Sequence, residues 1–140
     1  MSGHALMKKL QLRGRPLVVL GLPAHLEPLF PKEVARVDSL PEGAQAVLGF
    51  AADRQALAAL VARVLPGLDR EAVHWLAYPK KSSRRYRSDL TRDQGWAPLL
   101  PYNYEPVSQV ALDEDWSALR FKPFDLIDSP SRRQRMVKDS

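Results

Sequence analysis

The sequence contains no cysteine, which excludes disulfide bonds, thiolate metal sites and cysteine nucleophiles. It has no apolar run near the ~20 residues that a membrane-spanning helix needs, and its first residues show no signal-peptide pattern. We therefore predict a cytoplasmic protein with no membrane partner. Histidines are few as well. His4, His25 and His74 share no metal-ligand spacing, so we predict no metal site.

Glycine-rich phosphate-binding loops are also absent. The Rossmann fingerprint needs three spaced glycines so that the backbone can approach a pyrophosphate, but only Gly21 follows the first predicted strand, with Pro23 close behind. Ser82 and Ser83 have no histidine near them in sequence that would make either a nucleophile. We therefore predict no catalytic centre and no cofactor, and we interpret the chain as a binding or interaction module, not an enzyme.

Positive charge is concentrated in one segment, residues 80–92, which we call the basic loop. The net charge of the chain is +5, and this loop carries six cationic side chains against one carboxylate, which by itself equals that excess. A second basic run lies at residues 132–138. We predict one α/β domain over residues 1–124 and a basic, flexible tail over 125–140. Basic segments of this kind attract anionic metabolites, acidic protein partners or nucleic acid.

Three apolar runs predict strands that are buried on both faces, at residues 17–20, 46–50 and 72–78. Between the last two, Asp53 is a helix N-cap, and a helical apolar stripe runs over residues 54–65. A strand, a helix and a strand at this spacing form a βαβ unit with parallel strands. We predict that the three strands are adjacent and that the helix covers one face of the sheet.

Weaker patterns predict the remaining elements. We expect a lead-in strand over residues 6–13, a helical turn before Pro31, a strand over 33–38 and a short helix capped by Ser88 and Asp89. Residues 107–112 and 117–121 predict an antiparallel hairpin whose loop holds solvated acids at 113–115. The predicted fold is therefore a three-layer, Rossmann-like α/β mixed sheet closed by a C-terminal antiparallel hairpin. The same layout is found in class I methyltransferases, as a likeness of fold alone.

Two segments together resemble a known family: WLAYPKKSS at residues 75–83 and DEDWSALRF at residues 113–121. They are similar to a family of small bacterial proteins known as domain of unknown function number 3052. Its members have a strand ending in Trp or Tyr followed by Pro-Lys-Lys, then an Asp-Leu-Thr segment, matched here at residues 89–91. The resemblance covers residues 16–123 and departs from the family pattern after Asp93. It implies the Rossmann-like fold and no particular activity.

The strand at 72–78 ends in the basic loop, which makes that end the predicted binding site. Ligands of open α/β sheets bind beyond the carboxyl ends of the strands. Pro79 restrains the turn there, while lysine and serine side chains supply charge and hydroxyl donors for an anion. The predicted site consists of Lys80, Lys81, Ser82, Ser83, Arg84 and Arg85, with Gly21, Leu22 and Pro23 at a possible edge of it. The expected partner is a small anionic ligand or an acidic protein.

Two alternatives remain open from the sequence. The chain could be a nucleic-acid-binding protein that combines the Lys/Arg loop with exposed aromatic rings, since bases stack on such rings. The rings concerned are Trp75, Trp96, Trp116, Tyr102 and Tyr104. It could also be a degenerate, methyltransferase-like binder of a nucleotide or cofactor. Tryptophans more often pack in a core, and we predict that Trp116 anchors the hairpin to the sheet.

Overall fold

Six strands form one mixed sheet in the computed structural model, which describes residues 3–127 and, of these, the side chains from residue 5 onward. The strands are β1 (Leu17–Leu20), β2 (Ala35–Val37), β3 (Ala46–Phe50), β4 (Val73–Pro79), β5 (Tyr104–Ala111) and β6 (Trp116–Pro123). Their order in the sheet is β2-β1-β3-β4-β6-β5. The predicted fold class is confirmed.

The first four strands are parallel, and β1, β3 and β4 are neighbours as predicted. Every residue of β3 and β4 is buried. A parallel strand is covered on both faces by helices, which is why these two strands appear in the sequence as continuous apolar runs. The predicted hairpin is also confirmed and is longer than its pattern indicated, with β6 antiparallel to both β4 and β5.

Helices cover both faces of the sheet and give it three layers. The α-helix α2 (Arg54–Val64) and a 3-10 helix at Ala97–Tyr102 pack on one face, with Leu76 and Tyr78 of β4. The helix α1 (Gly3–Lys9) and a 3-10 helix at Ala24–Leu29 pack on the other face, with Trp75 of β4. Alternate residues of one strand therefore belong to two separate apolar cores.

Helix α2 begins where the sequence predicted. The Asp53 carboxylate accepts a hydrogen bond from the Ala56 amide at 2.8 Å, as an N-cap does. The predicted stripe is buried at four positions along the helix, which are Leu57, Leu60, Val61 and Val64. Capping and periodicity agree on the same boundaries here, so local sequence was sufficient to predict this helix.

The predicted lead-in strand at 6–13 is wrong, because the chain forms helix α1 there and then turns sharply. Leu6 and Leu10 are fully buried and four residues apart, which puts both on the inner face of a helix. The buried Trp75 indole donates to the Leu10 carbonyl at 3.0 Å and so binds the end of this segment to β4. That tertiary contact was not visible in the local pattern.

The predicted short helix at Ser88 and Asp89 is also wrong. The Ser88 hydroxyl accepts from the Leu90 amide at 3.0 Å, and no helix begins at Ser88 or Asp89. The Asp89 carboxylate instead accepts from the backbone amide of Arg54 at 2.9 Å, in the first turn of α2. Asp89 is a helix-capping residue, but the helix that it caps lies 35 positions earlier in the chain.

None of the helices in residues 3–127 has the length and hydrophobicity of a membrane span. A short 3-10 helix spans Phe124–Leu126, and Ile127, which follows it, is buried. The remainder of the predicted tail, 128–140, lies outside the described residues. The boundary between domain and tail therefore stays a prediction.

Candidate functional site at the carboxyl edge of the sheet

The basic loop is bound to the turn of the β5–β6 hairpin as it leaves β4. The Lys80 amide donates to the Asp115 carbonyl at 2.7 Å, and the Ser83 amide donates to the Lys80 carbonyl at 3.0 Å. Because β4 and β6 pair up to Pro79 and Trp116, the loop and the hairpin turn emerge side by side. The start of the loop is therefore held by the sheet itself.

Ser83 connects the two segments through its side chain. Its hydroxyl donates to the Asp115 carboxylate at 2.8 Å and accepts from the amides of Arg85 and Tyr86 at 3.1 and 3.0 Å. A serine hydroxyl has one donor and two acceptor sites, so these three contacts use its whole capacity. The role that the structure gives to Ser83 is to shape the loop.

The expectation that the hairpin acids are merely solvated is wrong for two of the three. Asp113 accepts from the amides of Asp115 and Trp116 at 2.8 and 2.7 Å and so stabilises the hairpin turn. Asp115 is buried, with its carboxylate 3.8 Å from the Arg85 guanidinium. Only Glu114 is exposed. Sequence reasoning missed this link because the serine and the aspartate are 32 positions apart.

An aromatic cluster lies beneath the loop. Tyr86 packs edge-on against Trp116 with ring centroids 5.0 Å apart, and Trp116 packs in the same way against Phe50 at 5.2 Å. Trp116 is 2% exposed, which confirms that it anchors the hairpin in the core. His25 stacks on the outer side of Tyr86, with ring centroids 6.2 Å apart.

The prediction that aromatic rings are exposed for base stacking is wrong for most of the rings concerned. Trp75, Trp96 and Tyr104 are buried, as Trp116 is, and Tyr102 alone is exposed, at 36% of its surface. The indole of Trp96 donates to backbone carbonyls of the basic loop and forms part of the core on the α2 face. Because these four rings are packed in the core, their flat faces are not accessible to a base.

The predicted site residues divide between two cavities. One cavity of about 290 Å³ is lined by Pro79, Lys80, Lys81, Ser83, Tyr86, Arg87, Ser88 and Leu90. The other, of about 540 Å³, is lined by Ser82, Arg84, Arg85, Glu114 and Asp115. The first contains three cations and no carboxylate, whereas the second balances two arginines with two acids. We call the first the lysine cavity.

Gly21, Leu22 and Pro23 lie at the same edge of the sheet but line neither cavity. β3 lies between β1 and β4, so the loop after β1 is two strand spacings, about 10 Å, from the start of the basic loop. Gly21 has φ +70°, and a Cβ atom there would lie 3.3 Å from the Phe50 carbonyl. Glycine is thus required by the tight turn itself.

His25, Asp113 and Asp115 converge in a way that sequence spacing did not reveal. One ligand atom from each lies within 4.8 Å of the others, and the His25 Nε2 is 3.9 Å from the Asp113 carboxylate. Both carboxylates already bind backbone amides or the Ser83 hydroxyl, and a guanidinium lies next to Asp115. These contacts explain why the two carboxylates lie there, since they attach the hairpin to the basic loop.

Comparison with known proteins gives no family model and no curated protein that matches the chain. Among solved structures, the fold is similar to LepI in complex with SAM, with a TM-score of 0.53 and 11% identity over 86% of this chain. It is also similar to a LepI variant in complex with SAH and a substrate analogue, with a TM-score of 0.50 and 13% identity. This chain spans 39% and 40% of the length of those proteins. At such identities the likeness shows the α/β fold alone.

Replacing Asp115 is expected to loosen the basic loop. Asp115→Ala removes the acceptor of the Ser83 hydroxyl, so we expect a loss of about 1–3 kcal/mol of stability, as for a buried hydrogen bond left half-made. Amide hydrogen exchange at Arg85 and Tyr86 should accelerate in the same variant. Glu114→Ala is the matched control, because it removes the neighbouring exposed carboxylate. Equal exchange rates in the two variants would show that Asp115 does not hold the loop.

Proposed function

We propose that the chain is a non-catalytic binding module that holds a small anionic ligand in the lysine cavity. The observation that supports this best is the lining of the cavity, where Lys80, Lys81 and Arg87 meet with no carboxylate among the lining residues. Side chains of one charge converge at a cost in mutual repulsion, which an anion between them removes. The ligand class is a phosphate- or carboxylate-bearing metabolite.

The size and chemistry of the cavity favour a compact ligand. Its volume of about 290 Å³ is at the lower end of small-molecule sites. The hydroxyl-bearing residues Ser88 and Tyr86 lie in the lining beside the cations, whereas the Ser83 hydroxyl is already used within the loop. Lysine acts as a point charge toward phosphate, and the Arg87 guanidinium can present two parallel donors to one oxyanion.

The cavity is preorganised on one side. Lys80 is fixed through its amide to the hairpin turn, and Pro79 ends β4 with a restrained backbone. Tyr86 also lines the cavity and is held by Trp116 and by the Ser83 hydroxyl. A loop restrained in this way loses little conformational entropy on binding, which favours affinity for a small ligand.

Nucleic acid is a less favoured partner for the same loop. Single-strand binders combine basic charge with accessible aromatic rings, and the tryptophans that could have served are buried. The cations of this loop can still attract phosphate backbones without base contacts. Such binding weakens steeply with salt, with log K falling by about 0.9 per neutralised phosphate on duplex DNA.

A thermal-shift titration tests the proposal directly. Inorganic phosphate, phosphorylated metabolites, citrate and a short oligonucleotide are added at low salt to the native chain and to Lys80→Ala/Lys81→Ala. A ligand at one hundred times its Kd should raise the Tm of the native chain by about 10 °C through mass action. The double variant should show a much smaller increase at the same ligand concentration.

The matched control is Lys8→Ala/Lys9→Ala, which removes two exposed lysines from α1 and changes the net charge equally. It should respond to the anion as the native chain does. If both double variants lose the response equally, attraction to overall charge explains the binding and the lysine cavity does not. If no anion raises the Tm of the native chain, the proposal is wrong.

A cofactor of the SAM type is a second candidate, because the two solved structures of similar fold are complexes with SAM and SAH. The strand order reverses between β1 and β3, and ligands of open α/β sheets bind beyond the carboxyl ends at such a point. Gly21 follows β1, and Asp38 follows the neighbouring strand β2, where dinucleotide-binding sheets place a carboxylate for the ribose.

Two features weigh against that candidate. After β1 the chain forms a six-residue 3-10 helix with Pro23 at its N-cap, so it offers no row of amides to a phosphate or carboxylate. The N-terminus of α2 is already occupied by the carboxylates of Asp53 and Asp89. Isothermal titration calorimetry with SAM distinguishes the two candidates. The affinity is measured for the native chain, for Asp38→Asn and, as a control, for Glu42→Gln. Binding that Asp38→Asn weakens and Glu42→Gln does not would favour the cofactor over the simple anion.

A further inference from the structure

A second basic cavity lies at the opposite, amino edge of the sheet. Its volume is about 440 Å³, and its lining residues are Arg13, Arg15, Arg70, Glu71, Ala72, Arg120, Lys122 and Leu126. These come from the turn before β1, the turn before β4, the second half of β6 and the turn after it. The sequence showed no cluster here, because the five cations are spread over 110 positions of the chain.

One face of β6 changes from apolar to cationic side chains at this cavity. Trp116, Ala118, Arg120 and Lys122 alternate along one face of the strand, the face that α1 covers. The first two are buried in the apolar core, but the next two are cations on the same face. This strand face therefore changes from apolar core to charge where it lines the cavity.

Arg120 is the most constrained of these cations. It is half-buried, its Nη1 donates to the neutral amide oxygen of Gln11 at 2.6 Å, and its buried Nε has no hydrogen-bond partner. Burial, and then repulsion from Arg13 and Arg15, lower the pKa of the Arg120 guanidinium from its usual value. The charged groups that act on this arginine are thus the guanidiniums of Arg13 and Arg15.

The turn that carries two of the arginines has an unusual backbone. Gln11, Arg13 and Gly14 all have positive φ, at 56°, 52° and 81°. Non-glycine residues in this region are strained, and such strain is found preferentially at functional sites. The effect of this conformation is to bring Gln11 to Arg120 and to place Arg13 and Arg15 in the lining of the cavity.

The charges of the cavity are not balanced within the part of the chain that the structure describes. Of the five cations, Arg70 alone forms an ion pair there, with the Asp125 carboxylate. Glu71 is the one carboxylate in the lining. Positive charge is therefore in excess among the lining residues, and a phosphate group, which carries about −1.5 to −2 at pH 7 as an ester, would reduce that excess.

We propose that this amino-edge cavity is a binding site for a diphosphate group, held by the guanidinium groups of Arg13, Arg15 and Arg120 with Lys122 beside them. Two linked phosphates present more anionic oxygens to these cations than one does, and guanidinium groups bind phosphate oxygens through pairs of parallel hydrogen bonds. The site is separate from the lysine cavity, which lies beyond the other end of the strands.

The test uses inorganic pyrophosphate as the probe, in thermal-shift titrations and in ¹H–¹⁵N spectra of the whole chain. Amide shifts are expected at residues 13–15, 70–72 and 120–122. Arg120→Met keeps the aliphatic stem and removes the charge. We expect it to weaken the pyrophosphate response about tenfold or more. We also expect it to raise the Tm of the ligand-free chain, because a partly buried, unpaired charge is removed.

A second variant, Arg13→Gln/Arg15→Gln, changes surface side chains and also should lose the response, whereas Arg63→Gln on α2 should keep it. A purely structural role for Arg120 predicts the reverse result, with a lower Tm in Arg120→Met and an unchanged pyrophosphate response. The proposal is overturned by that result, by shifts confined to residues 80–88, or by the absence of any response. It is equally overturned if an oligonucleotide binds this edge and pyrophosphate does not displace it.

Discussion

Trp116→Ala is expected to lower the free energy of unfolding by about 3–5 kcal/mol, the cost of removing a buried aromatic side chain. Trp116 is 2% exposed and lies between Phe50 and Tyr86, with ring centroids 5.2 and 5.0 Å away. Losing the indole therefore leaves a cavity between β3, β6 and the basic loop. Domains of this kind have a total stability of only about 5–15 kcal/mol, so the loss is a large fraction of it.

Urea denaturation at neutral pH measures this loss. Tyr102→Ala is the control, since Tyr102 is 36% exposed, and its removal should cost clearly less stability than that of Trp116. Trp116→Phe should fall between the two, because it retains an aromatic ring in the cluster. A midpoint for Trp116→Ala that matches that of the native chain would contradict the assignment of Trp116 as an anchor.

Stability is expected to fall by about 3 kcal/mol between pH 7 and pH 4 through the titration of His74 alone. His74 is 1% exposed in β4, beside the rings of Tyr104 and Phe121, and its Nδ1 has no hydrogen-bond partner. Burial lowers its pKa from 6.5 to about 4. The imidazole is therefore neutral in the folded protein across this range.

The direction of this stability change depends on whether the folded or the unfolded state binds the proton. Between pH 6.5 and pH 4 the unfolded chain protonates this histidine and the folded protein does not, so acid favours unfolding. The contribution is fully present above the unfolded pKa and is lost as the pH falls toward the folded pKa. Below pH 4 both states are protonated and the effect does not increase further.

His74→Leu isolates this contribution from that of the carboxylates, which titrate in the same range. Leucine has a similar volume and no charge, so the variant should lose less stability on acidification than the native chain does. At pH 7 the two proteins should be of similar stability, because no hydrogen bond of Nδ1 is lost. Parallel pH profiles for the two proteins would show that His74 becomes protonated without unfolding.

The candidate site was predicted in part. Pro79, Lys80 and Lys81 follow a buried strand directly, so their place at the carboxyl edge follows from the parallel arrangement. Their neighbours could not be assigned in the same way. Whether Ser82 and Ser83 face the same cavity as the lysines depends on how the loop folds, and Ser83 turns toward Asp115 of the hairpin. The assignment of the site to an anion stays a prediction.

The sequence by itself determined the features that depend on neighbouring residues. The cap at Asp53, the stripe of α2 and the buried runs of β1, β3 and β4 are local patterns, and hydrophobic periodicity with parallel pairing rules then leads to the α/β sheet. Helix α1 was the exception, because its short pattern is weak and its packing beneath β4 depends on Trp75.

Tertiary structure alone decided which distant side chains meet. The capping of α2 by Asp89, the bond between Ser83 and Asp115 and the approach of Arg15 to Arg120 each join residues at least 32 positions apart. Such contacts leave no periodicity in the chain, since each depends on the crossover of β4, the antiparallel return of β6 and a strained turn before β1. The amino-edge cavity is therefore visible only once the sheet has brought its cations together.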